Sequence, residues 1–514
     1  MDMEIEYPSM TEPCQAKYRS SKRGQKILID GCTYEYTKNK QHGEVICWKC
    51  IERIKKGCKA IAATDAVTDT ILRWTKHCHD PDPVSVKVKL AEEEILEAAA
   101  AHPKLTTNHL INQWQKVTAG PVEKSLVCSK RTMQRKLCRI KQDANGHPPI
   151  PKDWDDMEVI PDKFAQTYDD DRFLLANTVQ SGGDRMIVFA SNRGLKLMQK
   201  ATTWTCDGTF SIVPAPFKQL YSFMAEVEGV SYPTLFALLA NKKSPTYRSL
   251  IELVHEKVSE KGDLNLRQIV LDFEGPVVKE LKHVFGSHVR LTGCIVHFSR
   301  SQRKKQGEIG NLLAWQTKAD FKIFCECLKA LAYVPEKKVP DYFKCLLDDQ
   351  LTSLLTSLDE DPEFKAEVAD VMKESLNKYI DYFERTYVGR AGRAAWLKGK
   401  FAISLWNQYD NILEGRQIST NRHESFHSRL SKNLEKKPTL WSLLDELVDV
   451  EASVRGEREE HLAVDEPSTS TGGTRRKRDI RKANRDRIRT LVTRMEEFEM
   501  TDFLKRVGYF KGHL

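Results

Sequence analysis

The chain has 514 residues, 40% apolar and 30% charged, which is enough for about two to four domains of a polar, soluble class. No apolar run approaches the roughly 18 residues that cross a bilayer, and the acidic start MDMEIEYPSM lacks a signal-peptide pattern, so we expect a cytosolic or nuclear protein. The net charge of +9 is modest, and thirteen cysteines in a reducing compartment favour thiols and metal ligands over disulfides.

Residues 1–19 show no structural pattern and are expected to be disordered. Residues 20–85 contain short strand-like pieces and a cluster of cysteine and histidine. Four of these have the spacing C-x7-C-x18-H-x-H: Cys50, Cys58, His77 and His79. Two thiolates and two imidazoles form the ligand set of a tetrahedral structural zinc. A domain this short has little core, so the metal would supply much of its folding free energy.

Two further cysteines in this segment leave the choice of ligands partly open. Cys78 lies between the two histidines, and strand alternation turns it to the opposite face, so we exclude it. Cys47 forms a C-x-x-C with Cys50 and stays as a minor alternative. Strand-like pieces with aromatic residues, W-x-C, KKGCKA and H-x-H resemble the FLYWCH zinc-finger family, which is related to the WRKY fold. The resemblance implies a small antiparallel sheet that holds one zinc and binds DNA.

Residues 86–145 predict three helices, AEEEILEAAAAH, TTNHLINQWQKV and SKRTMQRKLCRIKQ, with a Gly120-Pro121 break before the third. Ser129 is a plausible N-cap of the third helix. That helix carries a basic group that we predict to contact DNA: Lys130, Arg131, Arg135, Lys136 and Arg139. The arrangement looks like a helix-turn-helix module with its last helix in a major groove. A solvated basic face on a helical linker is the alternative.

Strand and helix patterns alternate after the linker NGHPPIPKDW, and residues 150–300 therefore predict a mixed α/β sheet. VRLTGCIVHF is predicted to be its last strand. Residues 301–410 have helical spacing and predict an all-helical insertion, and residues 411–455 return to the core as a final helix. Residues 456–514 are predicted to be a polar linker and a basic tail, which contains a basic helix and a short C-terminal piece. The tail fits a nuclear import signal or a DNA-binding arm.

Two aspartates mark the predicted sheet. Asp207 lies in the strand WTCDGTF, and Asp272 ends the strand RQIVLDFE. Three strands, a helix and a fourth strand are the order of a ribonuclease H-like fold, in which the first and fourth strands are neighbours. Carboxylates hold hard divalent cations, and phosphodiester attack uses two of them about 3.5–4 Å apart. The third carboxylate is predicted to be Glu424, 152 residues after Asp272, beyond the helical insertion.

The motifs D-G-T-F, L-D-F-E, C-I-V-H-F and T-N-R-H-E-S-F-H resemble, in this order, the Mutator-like (MULE) transposases over about residues 150–450. The resemblance implies DNA strand cleavage and transfer with two Mg²⁺ or Mn²⁺ held by Asp207, Asp272 and Glu424. It also implies a nuclear protein that binds double-stranded transposon ends and target DNA as a dimer or higher oligomer. A domesticated FLYWCH-type regulator without catalysis and a nuclease without strand joining are the alternatives.

The remaining predicted site residues surround the C-I-V-H-F motif. Cys294 and His297 form a C-x-x-H pair that supports the active site, contacts the flanking DNA or places His297 near the scissile phosphate. Glu274 is a neighbouring carboxylate that we do not expect to be a ligand. A basic cluster after the motif is predicted to bind phosphates: Arg300, Arg303, Lys304 and Lys305.

Overall fold

The structure is a computed structural model that describes residues 14–21, 24–103, 105, 107–311, 315, 318–359, 366–391, 396–463 and 472–511. The chain forms two compact units, Met1–Pro149 and Ile150–Leu514. Each unit has its own sheet and its own hydrophobic clusters.

A seven-stranded antiparallel sheet opens the first unit, in the order β1-β7-β6-β5-β4-β3-β2. Its strands are β1 Cys14–Gln15, β2 Lys17–Ser20, β3 Lys26–Ile29, β4 Glu35–His42, β5 Val45–Cys50, β6 Ile61–Asp65 and β7 Thr70–Trp74. The two edge strands β1 and β2 are consecutive in the chain, so the sheet must curl back on itself. Its small core contains Leu28, Tyr36 and Trp48. Residues 14–20 are thus paired strands, which corrects the expected disorder of residues 1–19; residues 1–13 lie outside the described part.

Four helices complete the first unit, where the sequence predicted three. They are α1 Pro83–Ala101, α2 Thr107–Val117, α3 Pro121–Leu126 and α4 Lys130–Ala144. Gly120-Pro121, predicted as a break, starts the short helix α3, because proline fits the first helical position. Met133 and Leu137 of α4 pack with Trp114 of α2 in a separate apolar cluster.

The second unit is built on a mixed sheet of seven strands in the order β14-β13-β10-β11-β12-β9-β8. The strands are β8 Leu174–Val179, β9 Arg185–Phe189, β10 Thr203–Thr209, β11 Gln219–Val227, β12 Val230–Leu239, β13 Gln268–Leu271 and β14 Arg290–Gly293. The pairs β10–β13 and β13–β14 are parallel, and the other pairs are antiparallel. Asp207 and Asp272 therefore lie on, or directly after, neighbouring strands.

Helices cover both faces of this sheet, which explains its nearly continuous apolar strands. The chain supplies α5 Asp162–Ala165, α6 Asn192–Lys200, α7 Ser244–Ser259 and α8 Gly275–Phe285. Alternate strand residues divide between the faces: Phe223 packs in the cluster that contains α6, α7 and α8, whereas Met224 packs in the opposite one. That opposite face is covered by two later helices, α16 Asn421–Asn433 and α17 Leu440–Ala463.

The region predicted as a helical insertion is helical, but it begins earlier than residue 301. Its helices are α9 Ile295–Ile309, α10 Ala319–Ala330, α11 Val339–Leu346, α12 Thr352–Asp359, α13 Ala366–Phe383, α14 Ile403–Trp406 and α15 Tyr409–Leu413. The strands β15 Arg390–Ala391 and β16 Trp396–Leu397 pair only with each other and do not join the main sheet. VRLTGCIVHF is consequently strand only as far as Gly293. The apolar run that follows is the buried face of α9, with Ile295 and Phe298 in the core, and a short apolar run cannot by itself distinguish the two structures.

The C-terminal segment contains the predicted basic helix, but it is part of a buried core and not a free tail. Residues predicted as a linker and a basic tail form α18 Gly472–Thr493 and α19 Met500–Lys511. Ile488, Phe503 and Val507 are buried in the same cluster as Phe321 and Phe324 of α10, so these helices complete the core of the insertion. Residues 464–471 and the side chains of 457–481, which include the first cations of the basic segment, lie outside the described part.

Candidate functional sites

The four predicted zinc ligands lie together in the first unit. Cys50 ends β5, Cys58 follows a turn of 3-10 helix at Ile51–Arg53, and both histidines follow β7. One ligand atom from each of these four residues lies within 4.8 Å of the others. The ends of β5 and β7 and the loop before β6 thus bring the four ligands together, which the spacing of the motif had indicated.

The distances between these ligand atoms fit a tetrahedral zinc. Cys50 Sγ lies 3.3 Å from His79 Nε2, Cys58 Sγ lies 3.4 Å from His77 Nδ1, and the two nitrogens are 3.3 Å apart. Zinc bonds of about 2.3 Å to sulfur and about 2.05 Å to nitrogen give tetrahedral edges of about 3.3 Å between nitrogens and about 3.6 Å between nitrogen and sulfur. The side chains therefore have the arrangement that the ion requires.

Outer hydrogen bonds orient both imidazoles for this geometry. His77 Nε2 lies 2.7 Å from the Tyr36 hydroxyl, which donates to Asp30 Oδ2 at 2.7 Å. His79 Nδ1 lies 2.9 Å from the carbonyl oxygen of Asp80. Protons on these two nitrogens leave Nδ1 of His77 and Nε2 of His79 free as ligands. Burial, with the charge of His79, lowers the pKa of His77 to about 4, so the imidazole is neutral at pH 7.

The two other cysteines near the site are not among the ligands. Cys78 is exposed, and its Sγ lies 3.7 Å from the carbonyl oxygen of Lys56. Cys47 lies on β5 three residues before Cys50, and alternation places it on the other face of the strand from Trp48 and Cys50. Neither cysteine belongs to the group of ligand atoms.

Helix α4 presents an exposed basic stripe. Arg131, Arg135 and Arg139 are exposed and follow one another at intervals of four residues, so they share a face, and Lys130 is exposed at its start. Lys136 differs from these, because it is half-buried and pairs with Glu92 of α1. Four of the five predicted DNA contacts are thus available to a partner.

In the second unit, Asp207 and Asp272 lie at the same edge of the sheet, since β10 and β13 run in parallel. Asp207 accepts a hydrogen bond from Gly208 N, and Asp272 accepts one from Phe273 N. Burial raises the pKa of Asp207 to about 6; the charge of His297 opposes that shift, and those of Asp272 and Glu424 add to it. The charges of Asp272 and Glu424 therefore act on the carboxylate of Asp207.

Glu424 lies in the first turn of α16, and His297 stands between it and Asp272. His297 Nδ1 is 3.7 Å from Asp272 Oδ1, and its Nε2 is 3.8 Å from Glu424 Oε1. Burial lowers the pKa of His297, but a hydrogen bond with Cys294 and the charges of Cys294 and both aspartates outweigh it and raise this pKa to about 9. Within the described residues the carboxylates do not approach one another as closely as the Cys/His ligands do.

Two histidines that received no role from the sequence fix the helix of Glu424. His423 is fully buried, with Nε2 2.8 Å from Thr205 Oγ1 and Nδ1 3.1 Å from Ser222 Oγ. His427 Nδ1 lies 3.7 Å from Asp207 Oδ2. Their spacing of four residues around Glu424 was the available signal, since it places both rings on one face of a helix. That face holds α16 against β10 and β11.

The C-x-x-H pair connects the start of α9 to the chain before α16. Cys294 Sγ accepts a hydrogen bond from Thr420 N at 3.3 Å, and His297 Nδ1 lies 3.5 Å from Thr420 Oγ1. The backbone contact of Ile295 N with Ile418 O, at 3.0 Å, lies beside them. The two ends of the helical insertion are therefore neighbours at the carboxylate site.

The second predicted basic cluster lies on α9 and not in a loop. Arg300, Arg303 and Lys304 share one face of the helix, and Lys305 pairs with Glu308 at 3.2 Å. Arg300 pairs through both its nitrogens with the carboxylate of Glu424. The guanidinium of Arg303 lies 4.7 Å from the ring centre of Trp315.

Comparison with known proteins identifies the first part of the chain. Residues 17–79 match the family model described as the FLYWCH zinc finger domain. A search of curated proteins found no match to the chain. The match and the Cys/His geometry assign a FLYWCH zinc finger domain with a metal site to the first unit, and this domain type suggests DNA binding. Among the described helices, none combines the length and apolarity that crossing a membrane requires.

Proposed function

We propose that this protein is a DNA transposase of the DDE type, which binds transposon ends through its finger and α4 and then cleaves and joins DNA strands at the second unit. The observation that carries the proposal is the meeting of Asp207, Asp272 and Glu424 around His297 at one edge of the sheet. Two strands and a helix that are distant in sequence deliver acidic groups to this point. A phosphodiester site with two cations needs acidic groups that converge in this way.

The strand order supports a ribonuclease H-like core. The run β12-β11-β10-β13-β14 has three antiparallel strands followed by two parallel ones, with α7 between β12 and β13. This is the topology that the sequence motifs suggest, with the helical insertion placed after the fifth strand of that core. It is also the reason why Asp207 and Asp272 are neighbours.

The residues present fit a hard divalent cation. Asp207 is a mostly buried carboxylate with two acidic neighbours, and a bound divalent cation would favour its charged form, which burial disfavours. Mg²⁺ or Mn²⁺, two per site, held by these carboxylates would activate the attacking oxygen and stabilise the leaving one. His423 positions α16, and the cations of α9 bind the phosphates that flank the cleaved bond.

The proposed reaction also implies an oligomeric state, a DNA partner and a location in the cell. Cleavage of two transposon ends requires at least two active sites, so we propose a homodimer or higher oligomer on double-stranded DNA. A chromosomal substrate places the protein in the nucleus. The cations of α4 and the zinc finger, both in the first unit, would recognise the ends, while the second unit cuts and joins them.

The test is a nicking and joining assay with purified full-length protein, supercoiled plasmid, a labelled 3′-hydroxyl oligonucleotide and Mn²⁺. Asp207→Asn, Asp272→Asn and Glu424→Gln should each lower both products by at least about 100-fold, since loss of outer-shell partners alone costs about 10- to 100-fold. Glu274→Gln is the matched control: its carboxylate accepts from Tyr247 and faces Lys242, so activity should persist. Wild-type protein that forms neither product, or a triad variant with full activity, contradicts the proposal.

A further inference from the structure

A groove lies between α9 and α16, beside the carboxylate site. Its volume is about 670 Å³, and the side chains that matter here are Arg300, Asn421, Glu424, Ser425, Arg429 and Lys432. The α16 members recur at helical intervals, so they form one face of that helix. The opposite face, with Phe426 and Leu430, is buried against the sheet. The groove therefore presents only polar and charged groups of α16.

The groove carries more positive than negative charge. Arg429 and Lys432 are exposed and form no ion pair in the described part of the chain, while the Arg429 guanidinium lies 5.9 Å from the Phe426 ring centre. Glu424 is the groove's single carboxylate, and Arg300 pairs with it. Cations together with hydroxyl and amide donors are the groups that bind phosphate oxygens in DNA complexes. The run from Asn421 to Lys432 is about 16 Å long, which spans about five nucleotides of one strand.

Arg300 is paired with the carboxylate of Glu424, which the proposed cation needs as a ligand. Arg300 Nη2 donates to Glu424 Oε2 at 3.0 Å and Nη1 donates to Oε1, so both carboxylate oxygens are engaged. The side chain of Arg300 is 59% exposed and that of Glu424 is 33% exposed. Exposed pairs of this kind are weak, and a phosphate offers a guanidinium the same forked geometry as a carboxylate does.

We propose that this groove binds the DNA backbone and that Arg300 exchanges Glu424 for a phosphate when DNA enters. DNA binding thereby frees Glu424 to bind the catalytic cation. The inference rests on the proposed function, because it assigns Glu424 to that cation. Linkage makes the effect reciprocal: DNA strengthens cation binding by the same factor by which the cation strengthens DNA binding. In the free protein, Arg300 blocks the carboxylate of Glu424 until DNA binds.

The experiment measures Mn²⁺ binding to zinc-loaded full-length protein, with and without a 30-base-pair duplex, and Glu424→Gln defines the specific site by difference. Arg300→Ala should bind Mn²⁺ up to about fivefold more tightly without DNA, the factor that an exposed ion pair can supply. The gain in Mn²⁺ affinity on adding DNA should fall by the same factor. Arg303→Ala lies one turn along α9, and no carboxylate among the described residues pairs with Arg303, so this variant should leave Mn²⁺ binding in the absence of DNA unchanged.

The groove itself is tested by salt dependence. Arg429→Ala combined with Lys432→Ala should lower the slope of log affinity against log salt by about 1.8, because each phosphate contact contributes about 0.9. A slope equal to wild type overturns the groove, and an Arg300→Ala variant with wild-type Mn²⁺ binding overturns the exchange. Mn²⁺ binding that does not change in Glu424→Gln, even with DNA, instead contradicts the proposed function.

Discussion

Replacement of Tyr36 by phenylalanine should weaken zinc binding by the finger, although Tyr36 is not a ligand. Its hydroxyl connects His77 Nε2 to Asp30 Oδ2, with both distances 2.7 Å. Tyr36 is fully buried, so its hydroxyl is not in contact with bulk water. The Nε2 proton of His77 would then lack an acceptor while the ring is required to face the metal through Nδ1.

The magnitude follows from the cost of a buried polar group without a partner, about 1–3 kcal/mol. Since about 1.4 kcal/mol corresponds to a factor of ten, the zinc affinity should fall by roughly 5- to 150-fold. Outer-shell partners in other metal sites contribute about 10- to 100-fold, which agrees with this range. We therefore expect a loss of about 10- to 100-fold in Tyr36→Phe.

The assay is competition for zinc between the full-length protein and a chromophoric chelator, combined with the absorption spectrum of the Co²⁺-substituted finger. Tyr18→Phe is the matched control, because its hydroxyl donates to Asp69 Oδ1 at 2.7 Å in the same sheet but contacts no ligand. The Co²⁺ spectrum should shift only in Tyr36→Phe. Equal affinities and equal spectra for the two variants would refute the argument that Tyr36 orients His77.

Two further predictions concern the first unit. Replacement of Arg131, Arg135 and Arg139 by alanine should weaken DNA binding on all sequences and lower its salt slope by about 2.7, measured by anisotropy titration at several salt concentrations; an unchanged slope would show that the stripe faces only solvent. Cys58→Ser should abolish stoichiometric zinc in metal analysis, whereas Cys78→Ser should retain it, because only Cys58 belongs to the ligand group. Zinc lost from both variants alike would contradict that ligand set.

The zinc site of the finger could be predicted from the sequence because its ligands lie close together in the chain. Cys50, Cys58, His77 and His79 lie within 30 residues, and tetrahedral coordination permits few arrangements of such ligands. Cys78 lies outside the ligand group, as predicted, but strand alternation is not the reason, because β7 ends at Trp74. The hydroxyl of Tyr36 was beyond this reasoning, because an aromatic residue in a strand pattern does not reveal which polar atom it will meet across the sheet.

Only part of the second unit could be predicted from the sequence. The strand order followed from the alternation of strands and helices, and the positions of Asp207 and Asp272 followed from that order. The start of α9 could not be predicted, because the apolar residues of CIVHF fit a strand and a buried helix equally well. A basic helix was predicted in the C-terminal segment, but its burial was not, because its many cations hid the apolar spacing of Ile488 and Val492, which are buried.

The placement of Glu424 depends on contacts that cross the whole insertion. Ile295 N bonds to Ile418 O, and Cys294 accepts from Thr420 N, so the helical body leaves the sheet and returns at one point. The C-terminal helices fill the core of that body, which makes it a rigid support for α9 and not a loose loop. Because α9 carries both His297 and Arg300, any movement of this body would shift the two cations that now balance Glu424. The insertion therefore supplies two of the basic side chains beside Glu424, which gives it a role in the site as well as a place in the fold.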